Sequence, residues 1–248
     1  MSEYKDHYIW KNPEYVRKYI ENFRGGIPYA VDHIEFMLKA INEKLAKVKN
    51  FADLGCGNGI LAGAVLLKNP DAYGTLIDFY GPVLDEAKQQ LIDHVSNLTF
   101  IEADLMKSNW LKAVRKNIPF DLVASGFTIH DFPDKRKKEI FEEVYKSLKP
   151  GGLFMQVEEV MPESDWIKNI SDKQMVDTLM QFNKKKGVEK TAKQIKEEYI
   201  DGIGNKGNVL ATLSDHTKWL KKAGFEDVTV FFKAYIGAVF GGIKPKKD

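Results

Sequence analysis

The side chains best suited to chemistry in this 248-residue chain fall in four short stretches. Asp53-Leu54-Gly55-Cys56-Gly57-Asn58-Gly59 places three glycines at alternate positions directly after the apolar run Phe51–Leu54. Glycine belongs where a chain turns sharply, or where backbone must approach a ligand with no Cβ in the way. Asp78 ends a second apolar run, 23 residues beyond Gly55, and Asp104 follows a third. A carboxylate at the position of Asp78 can accept hydrogen bonds from both hydroxyls of a ribose. His130, in Ser125-Gly126-Phe127-Thr128-Ile129-His130-Asp131-Phe132, follows a fourth run. Its imidazole titrates near neutral pH, which makes it a candidate general base. Together these residues describe a nucleotide-type ligand site with a proton-handling group beside it.

Such residues need elements that hold them at one edge. The strands expected are Phe51–Leu54, Tyr73–Ile77, Leu98–Glu102, Phe120–Ser125 and Leu153–Glu159. Amphipathic helices are expected between them, clearest at Pro82–Val95 (Leu84, Ala87, Leu91 and Val95 on one face) and at Pro133–Leu148 (Ile140, Phe141, Val144 and Leu148). Short apolar strands alternating with such helices predict a doubly wound, mostly parallel α/β sheet covered on both faces. Ligands of these sheets bind beyond the carboxyl ends of the strands, where the glycine loop, Asp78, Asp104 and His130 all fall. Asp227–Phe232 and Ile236–Ile243 read as two more strands joined tightly, hence antiparallel. Ahead of the sheet, Asn12-Pro13 opens one helix and Pro28–Val48 forms a second, with Ile34, Met37, Leu38, Ile41 and Leu45 as its stripe. After Glu159 come two charged helices, Ser171–Lys186 and Thr191–Ile200, and a glycine-rich loop from Asp201 to Gly207. Ser214 is placed to cap a helix ending at Ala223-Gly224-Phe225, and Asp131 one beginning at Pro133.

A dinucleotide fingerprint, G-x-G-x-x-G, would put its third glycine at position 60, which is Ile60. The spacing is G-x-G-x-G instead, with an acid two residues before the first glycine. This pattern resembles motif I of the class I S-adenosylmethionine-dependent methyltransferases. The resemblance continues in order through Asp78, Asp104, the turn Leu148-Lys149-Pro150-Gly151-Gly152 and Ala223-Gly224-Phe225, covering about Phe51 to Lys244. It implies a seven-stranded sheet with an antiparallel last strand, and S-adenosylmethionine as cofactor. Asp53, Gly55, Cys56, Gly57, Asn58 and Gly59 would hold its amino-acid end, where an acid suits the sulfonium and ammonium charges. Asp78 and Phe79 would lie at the ribose, and Ala103, Asp104 and Leu105 at the adenine. Ser125 and Gly126 would border the sulfonium. Each has a plainer reading: a tight turn for the glycines, a strand-end acid or helix cap for each aspartate, a small loop residue for Cys56. Three acids at the ends of consecutive strands argue against coincidence. His130 is either a base or a group that contacts the cofactor or orders its loop.

The resemblance makes the chain one methyltransferase domain over 1–248: a helical N-terminal cap at 1–48, a cofactor-binding core at 49–160, a helical insertion over the active site at 161–212, and a final helix and strand pair at 213–248. The cap is dense in aromatic residues (Tyr4, His7, Tyr8, Trp10, Tyr15, Tyr19), and the insertion carries Met161, Trp166, Met175, Met180 and Phe182. These two departures from a minimal fold would shape the substrate site, or merely pack against the core. Glu158 and Glu159 would reach the same space.

Composition narrows the acceptor. Net charge is only +2, where a grip on nucleic-acid phosphates usually brings a stronger basic excess, so a small-molecule acceptor is expected and no nucleic acid. An RNA or protein methyltransferase, or a non-catalytic S-adenosylmethionine-binding protein, are the alternatives. Lys184-Lys185-Lys186 reads as a solvated helix end. Cys56 is the single cysteine, so no intrachain disulfide forms. The first residues lack the apolar core of a signal peptide, and Ala234–Ile243 is too short to span a membrane, which gives a cytoplasmic expectation. No metal site is expected. Neither the oligomeric state nor the acceptor atom is legible.

Overall fold

The computed structural model describes residues 26–203 and 208–246. The helix expected after Asn12 and the N-terminal aromatic residues lie outside the described residues, as does most of the glycine-rich loop. The elements in chain order are α1 (Ala30–Lys44), β1 (Asn50–Leu54), α2 (Ile60–Lys68), β2 (Tyr73–Asp78), α3 (Gly81–Gln90), β3 (Leu98–Glu102), the single turn α4 (Trp110–Ala113) and β4 (Phe120–Gly126). There follow α5 (Asp134–Ser147), β5 (Leu148–Glu159), α6 (Asp165–Lys185), the short α7 (Ala192–Ile195), α8 (Leu213–Lys222), β6 (Glu226–Ala234) and β7 (Gly237–Ile243).

The seven strands form one sheet in the order β3-β2-β1-β4-β5-β7-β6. Strands β1 to β5 pair in parallel, and β7 runs antiparallel to both β5 and β6, as expected. Strand β1 is the hinge of this order. It pairs with β2 on one side and β4 on the other, so the connections leaving it diverge and open a crevice at its carboxyl end. Alternation along the strands separates two cores. Phe51, Leu76, Leu122, Met155 and Val239 face α1, α2 and α3, whereas Leu54, Ile77, Val123, Phe154 and Phe240 face α4, α5 and α8. Each fully buried side chain of this size stabilises the fold by about 1.5–3 kcal/mol. The insertion has a smaller core of its own, Met175, Val176, Leu179, Ile195, Tyr199 and Ile200.

Several boundaries differ from expectation, each for a local reason. Helix α1 starts at Ala30 and buries His33, Met37 and Ile41, while Ile34 and Leu38 are only half-buried: the helix is rotated by about one position to bring His33 inward. Helix α3 ends at Gln90 and a 3-10 turn, Ile92–Asn97, follows, leaving Val95 exposed. Strand β5 begins at Leu148, so the Pro150–Gly152 turn lies inside it. Helix α6 begins six residues before Ser171 because the Ser164 hydroxyl caps it, accepting from the Ile167 amide. Helix α7 starts at a capping box of Thr191 and Gln194 and widens after Ile195 into a π-helical stretch. Thr212, and not Ser214, caps α8, accepting from the Asp215 amide. Asp131 caps no helix: α5 starts after Pro133 without a side-chain cap. Among the described residues no helix is long and apolar enough to cross a membrane, and no cluster suited to a metal ion occurs.

Candidate active site

The glycine loop sits at the β1 crevice. Gly55, Gly57 and Gly59 all take left-handed backbone conformations. At Gly55 (φ +67°) an added Cβ would also strike the Thr128 side chain, so this position is glycine for two independent reasons. The loop is pinned to β2: the Gly55 and Cys56 amides donate to the Ile77 carbonyl at 2.8 and 3.0 Å, and the Gly57 amide to Asp78 Oδ2 at 3.0 Å. Asp53 braces the next helix, its Oδ2 accepting from the Ala62 amide at 3.1 Å. Cys56 is buried, and Asn58 is buried with no hydrogen-bond partner for its Oδ1 among the described residues.

The acids line up along the same edge. Asp78 Oδ1 accepts from the Tyr80 amide at 3.1 Å, which holds its carboxylate beside Gly57. Asp104 accepts from the Met106 amide at 2.9 Å, and Lys107 lies 3.8 Å away. Phe79 and Ala103 are half-buried beside them. Leu105 instead points into the second core, and its carbonyl receives the Arg136 guanidinium at 2.6 Å. Ser125 is fully buried, its hydroxyl donating to the Leu54 carbonyl at 3.0 Å and clamping β4 to β1. Gly126 ends β4. The structure thus gathers the predicted residues at one edge, and each aspartate also fills the bracing role of its plainer reading. The cradle fits the S-adenosylmethionine that the resemblance implies: bare backbone at Gly55 and Gly59, an orphaned buried amide oxygen at Asn58, and three carboxylates toward a cationic, hydroxylated ligand.

Beyond β4 the chain turns abruptly. Phe127 takes a positive φ of 52°, uncommon for a bulky side chain and a mark of functional segments. Its amide donates to the Val157 carbonyl at 2.7 Å, and the next residue, Thr128, donates its hydroxyl to the Gly55 carbonyl at 3.2 Å. The 3-10 turn Ile129–Asp131 is then built around Glu158. This fully buried carboxylate accepts from the Ile129 and His130 amides at 3.0 and 3.2 Å and contacts His130 Nδ1 at 2.8 Å. Asp131 lies 3.4 Å from His130 Nε2. Burial alone would push the imidazole pKa down, but Asp131, Glu158 and Glu159 around it push it up to about 9. At neutral pH His130 is therefore an imidazolium, already protonated and held between acids. This geometry suits an anchor of the loop and disfavours a base. Burial raises the Glu159 carboxyl, which accepts from Asn208 at 3.1 Å.

Sequence reasoning missed the strut that ties the insertion to this loop. The Val209 amide donates to the His130 carbonyl at 3.1 Å, and the fully buried Lys137 ammonium donates to the carbonyls of Phe132 and Val209. Burial lowers the Lys137 pKa despite Asp134, Glu158 and Asp131 nearby. A lysine at the start of an amphipathic helix gives no signal of such a role. Of the insertion's large side chains, Met175 is buried in the insertion's own core and borders a small cavity with His33 and Phe127, while Met161 and Trp166 are exposed. Lys184, Lys185 and Lys186 are exposed at a helix end.

Comparison with known proteins gives the same picture. Residues 51–152 match the family described as "Methyltransferase domain". The chain is 21% identical over 207 residues to a carboxy-S-adenosyl-L-methionine synthase of Campylobacter lari, covering 84% of this chain and 82% of that one. It is 31% identical over 112 residues to the acetylserotonin O-methyltransferase of Gallus gallus, 45% of this chain and 30% of that one. Among solved structures, human N-acetylserotonin methyltransferase in complex with S-adenosylmethionine superposes with a TM-score of 0.63 at 18% identity, over 99% of this chain. The chain spans 61% of the length of that structure, a likeness of fold alone.

Proposed function

We propose that the chain is a class I S-adenosylmethionine-dependent methyltransferase whose acceptor is a small molecule. The observation that carries this reading is the cavity beside the cofactor edge. It is small, walled by α1, by α6 of the insertion and by the turn between β6 and β7, and neither lysine nor arginine is among its lining residues. The acetylserotonin O-methyltransferase likeness supports a small acceptor. When bound, S-adenosylmethionine supplies an activated methyl group. The protein's part is alignment and exclusion of water, and alignment alone is worth about 7–11 kcal/mol in well-oriented systems.

In this reading Gly55, Gly57 and Asn58 hold the amino-acid end of the cofactor, with Asp53 behind them. Asp78 takes the ribose hydroxyls and Asp104 the adenine side. His130, charged and fixed by Glu158, sets the course of the loop that carries Phe127 and Thr128. The lone cysteine suits a reducing compartment, and we place the protein in the cytoplasm. Calorimetry with S-adenosylmethionine, followed by incubation of methyl-labelled cofactor with a metabolite extract, tests the proposal. Label in small solutes is the expected result, while label in RNA or protein alone refutes it.

A second reading comes from the synthase relatives, which match over more than four-fifths of both chains. There S-adenosylmethionine itself would gain a carboxyl group. Mass spectrometry of the cofactor after turnover separates the two, because carboxylation leaves a heavier cofactor and methyl donation leaves it lighter by its methyl group.

A further inference from the structure

The edge of the sheet opposite the cofactor cradle is built of different chemistry. Strands β1 to β6 all start from it and β7 ends on it. Lys47 and Lys49 precede β1, Lys68 precedes β2, and Arg115 and Lys116 precede β4. Lys149 lies at the start of β5, Lys221 and Lys222 precede β6, and Lys246 follows β7. A lysine in the last turn of a helix offsets its dipole, and Lys68, Lys221 and Lys222 do so. The others lie outside helices. Asp71 pairs with Lys47 at 3.4 Å and the buried Asp121 pairs with Lys149, whereas Lys49, Lys68, Arg115 and Lys116 make no ion pair among the described residues. Further acids stand toward the two ends, Asp93 before β3 and Glu226 and Asp227 on β6. On the cofactor edge the sign reverses, with Asp78, Glu102, Asp104, Asp131, Glu158 and Glu159 at or just beyond the strand ends. A net charge of only +2 thus hides a molecule with one positive and one negative end.

Large apolar side chains stand out among these cations. Leu67, beside Lys68, is 80% exposed, Tyr73 at the start of β2 is 64% exposed, and Ile92 before β3 is 63% exposed. Ile118, two residues after Lys116, is exposed as well. The backbone holds most of them on one rigid rim. The Tyr73 amide donates to the Lys49 carbonyl at 2.9 Å, and the Asn50 side-chain amide donates to the Asn117 carbonyl at 2.6 Å. Asp121 accepts from the Lys49 and Asn50 amides at 2.7 and 2.8 Å. These bonds join the entries to β1, β2 and β4, where the unpaired cations and Leu67, Tyr73 and Ile118 are found. Strands about 4.8 Å apart make the whole rim of the seven-stranded sheet about 30 Å long.

We propose that this rim docks on an anionic lipid bilayer surface, with the cofactor edge turned toward the aqueous side. Positive charge and protruding apolar side chains together are what such a surface selects. Lysines meet the anionic headgroups, and Leu67, Tyr73, Ile92 and Ile118 enter the boundary between headgroups and acyl chains. Lysine suits the place because its stem lies along apolar surface while its ammonium stays in water. Contact of this kind is peripheral and needs no spanning helix. A nucleic acid would favour a different set, since arginine forks and stacked aromatic rings grip a phosphate strand. Here Arg115 is one arginine among lysines, and three of the four protruding side chains are aliphatic. The proposal is independent of the acceptor and of the methyltransferase reading. It leaves the cradle at Gly55 and Asp78 open to solutes arriving from water.

Co-sedimentation of the untagged full chain with large vesicles tests this. One set of vesicles is phosphatidylcholine alone, and the other contains phosphatidylserine at about one lipid in four. Binding is expected to the second set and not to the first. It should weaken about 10-fold or more as ionic strength rises from about 0.1 to about 1 M and the Debye length falls from about 10 to about 3 Å. A lysine near the surface is worth about five-fold in affinity, so Lys49→Gln, Lys68→Gln and Lys116→Gln combined should weaken binding about 100-fold. Leu67→Ser with Ile118→Ser should weaken it about 10-fold. Lys135→Gln with Lys193→Gln, at the cofactor edge and in the insertion, removes two exposed charges elsewhere and should leave it unchanged. Failure to bind the phosphatidylserine vesicles, equal binding to both sets, or an equal loss in the Lys135 and Lys193 variant overturns the inference. So does tighter binding to polyuridylate than to vesicles at equal phosphate, which would assign the rim to nucleic acid. The wild-type comparison stands even where a variant fails to fold, and calorimetry of the wild type with S-adenosylmethionine reports on the cofactor reading by itself.

Discussion

Raising the pH should remove a stabilising charge from the middle of this protein. His130 keeps its proton to about pH 9 when folded, against the ordinary value of 6.5. A group whose folded pKa is raised contributes fully below its unfolded pKa, and the contribution is lost as pH rises through the folded value. The window therefore runs from about 6.5 to about 9. At about 1.4 kcal/mol per pH unit, the imidazolium among Glu158, Asp131 and Glu159 is worth about 3 kcal/mol at pH 6. The perturbation is His130→Gln, which removes the proton and leaves the surrounding acids in place. Urea denaturation of both proteins at half-unit steps between pH 6 and pH 9.5 gives the two stability curves. The wild-type advantage should shrink steadily across the window, by about 3 kcal/mol in total. Comparison with the variant cancels titrations the two proteins share. A constant difference between the curves, or one that grows with pH, would refute the reasoning and restore His130 as a neutral group free to act as a base.

Other expectations concern the cradle and the insertion. Asp78→Asn should weaken S-adenosylmethionine binding by about 10- to 100-fold, the worth of hydrogen bonds to a charged acceptor; in calorimetry, a cofactor analogue lacking a ribose hydroxyl should lose less. Gly55→Ala should cost about 1–2 kcal/mol from its left-handed backbone alone, and more from the collision with Thr128; cofactor titration and thermal melting should both register it. Lys137→Met removes the donor to Phe132 and Val209, and cleavage of the segment between Gly187 and Asn208 in limited proteolysis should accelerate while the sheet core stays protected.

Much of this arrangement is legible in the sequence because it rests on local rules. Apolar runs such as Phe51–Leu54 could only be buried strands, and alternate glycines after the first of them fixed the ligand edge. The antiparallel end followed from the tight connection between the last two strands and from the resemblance, whereas the strand order came only from the structure. What escaped depends on contacts distant along the chain. Thr128 meets Gly55 from 73 residues away, and Glu158 reaches the turn at His130 from 28 to 30. Nothing in either stretch announces the partner. His130 looked like a base because its type titrates near neutrality; its charge state was set by acids that the fold, not the spacing, brought around it. His33 was hidden in a stripe that seemed centred on Ile34, and a rotation of about one position brought it inward.

The Val209 strut has a dynamic meaning. A single residue, where the chain returns from the insertion, offers its amide to the His130 loop and its carbonyl to Lys137. The insertion has its own small core, so it qualifies as a separate cooperative unit able to detach while the sheet remains intact. Detachment cannot proceed without freeing that one amide. Its hydrogen-exchange rate would therefore act as a clock for the opening of the insertion, and slowing of that clock on adding a candidate acceptor would identify a ligand before any product is formed.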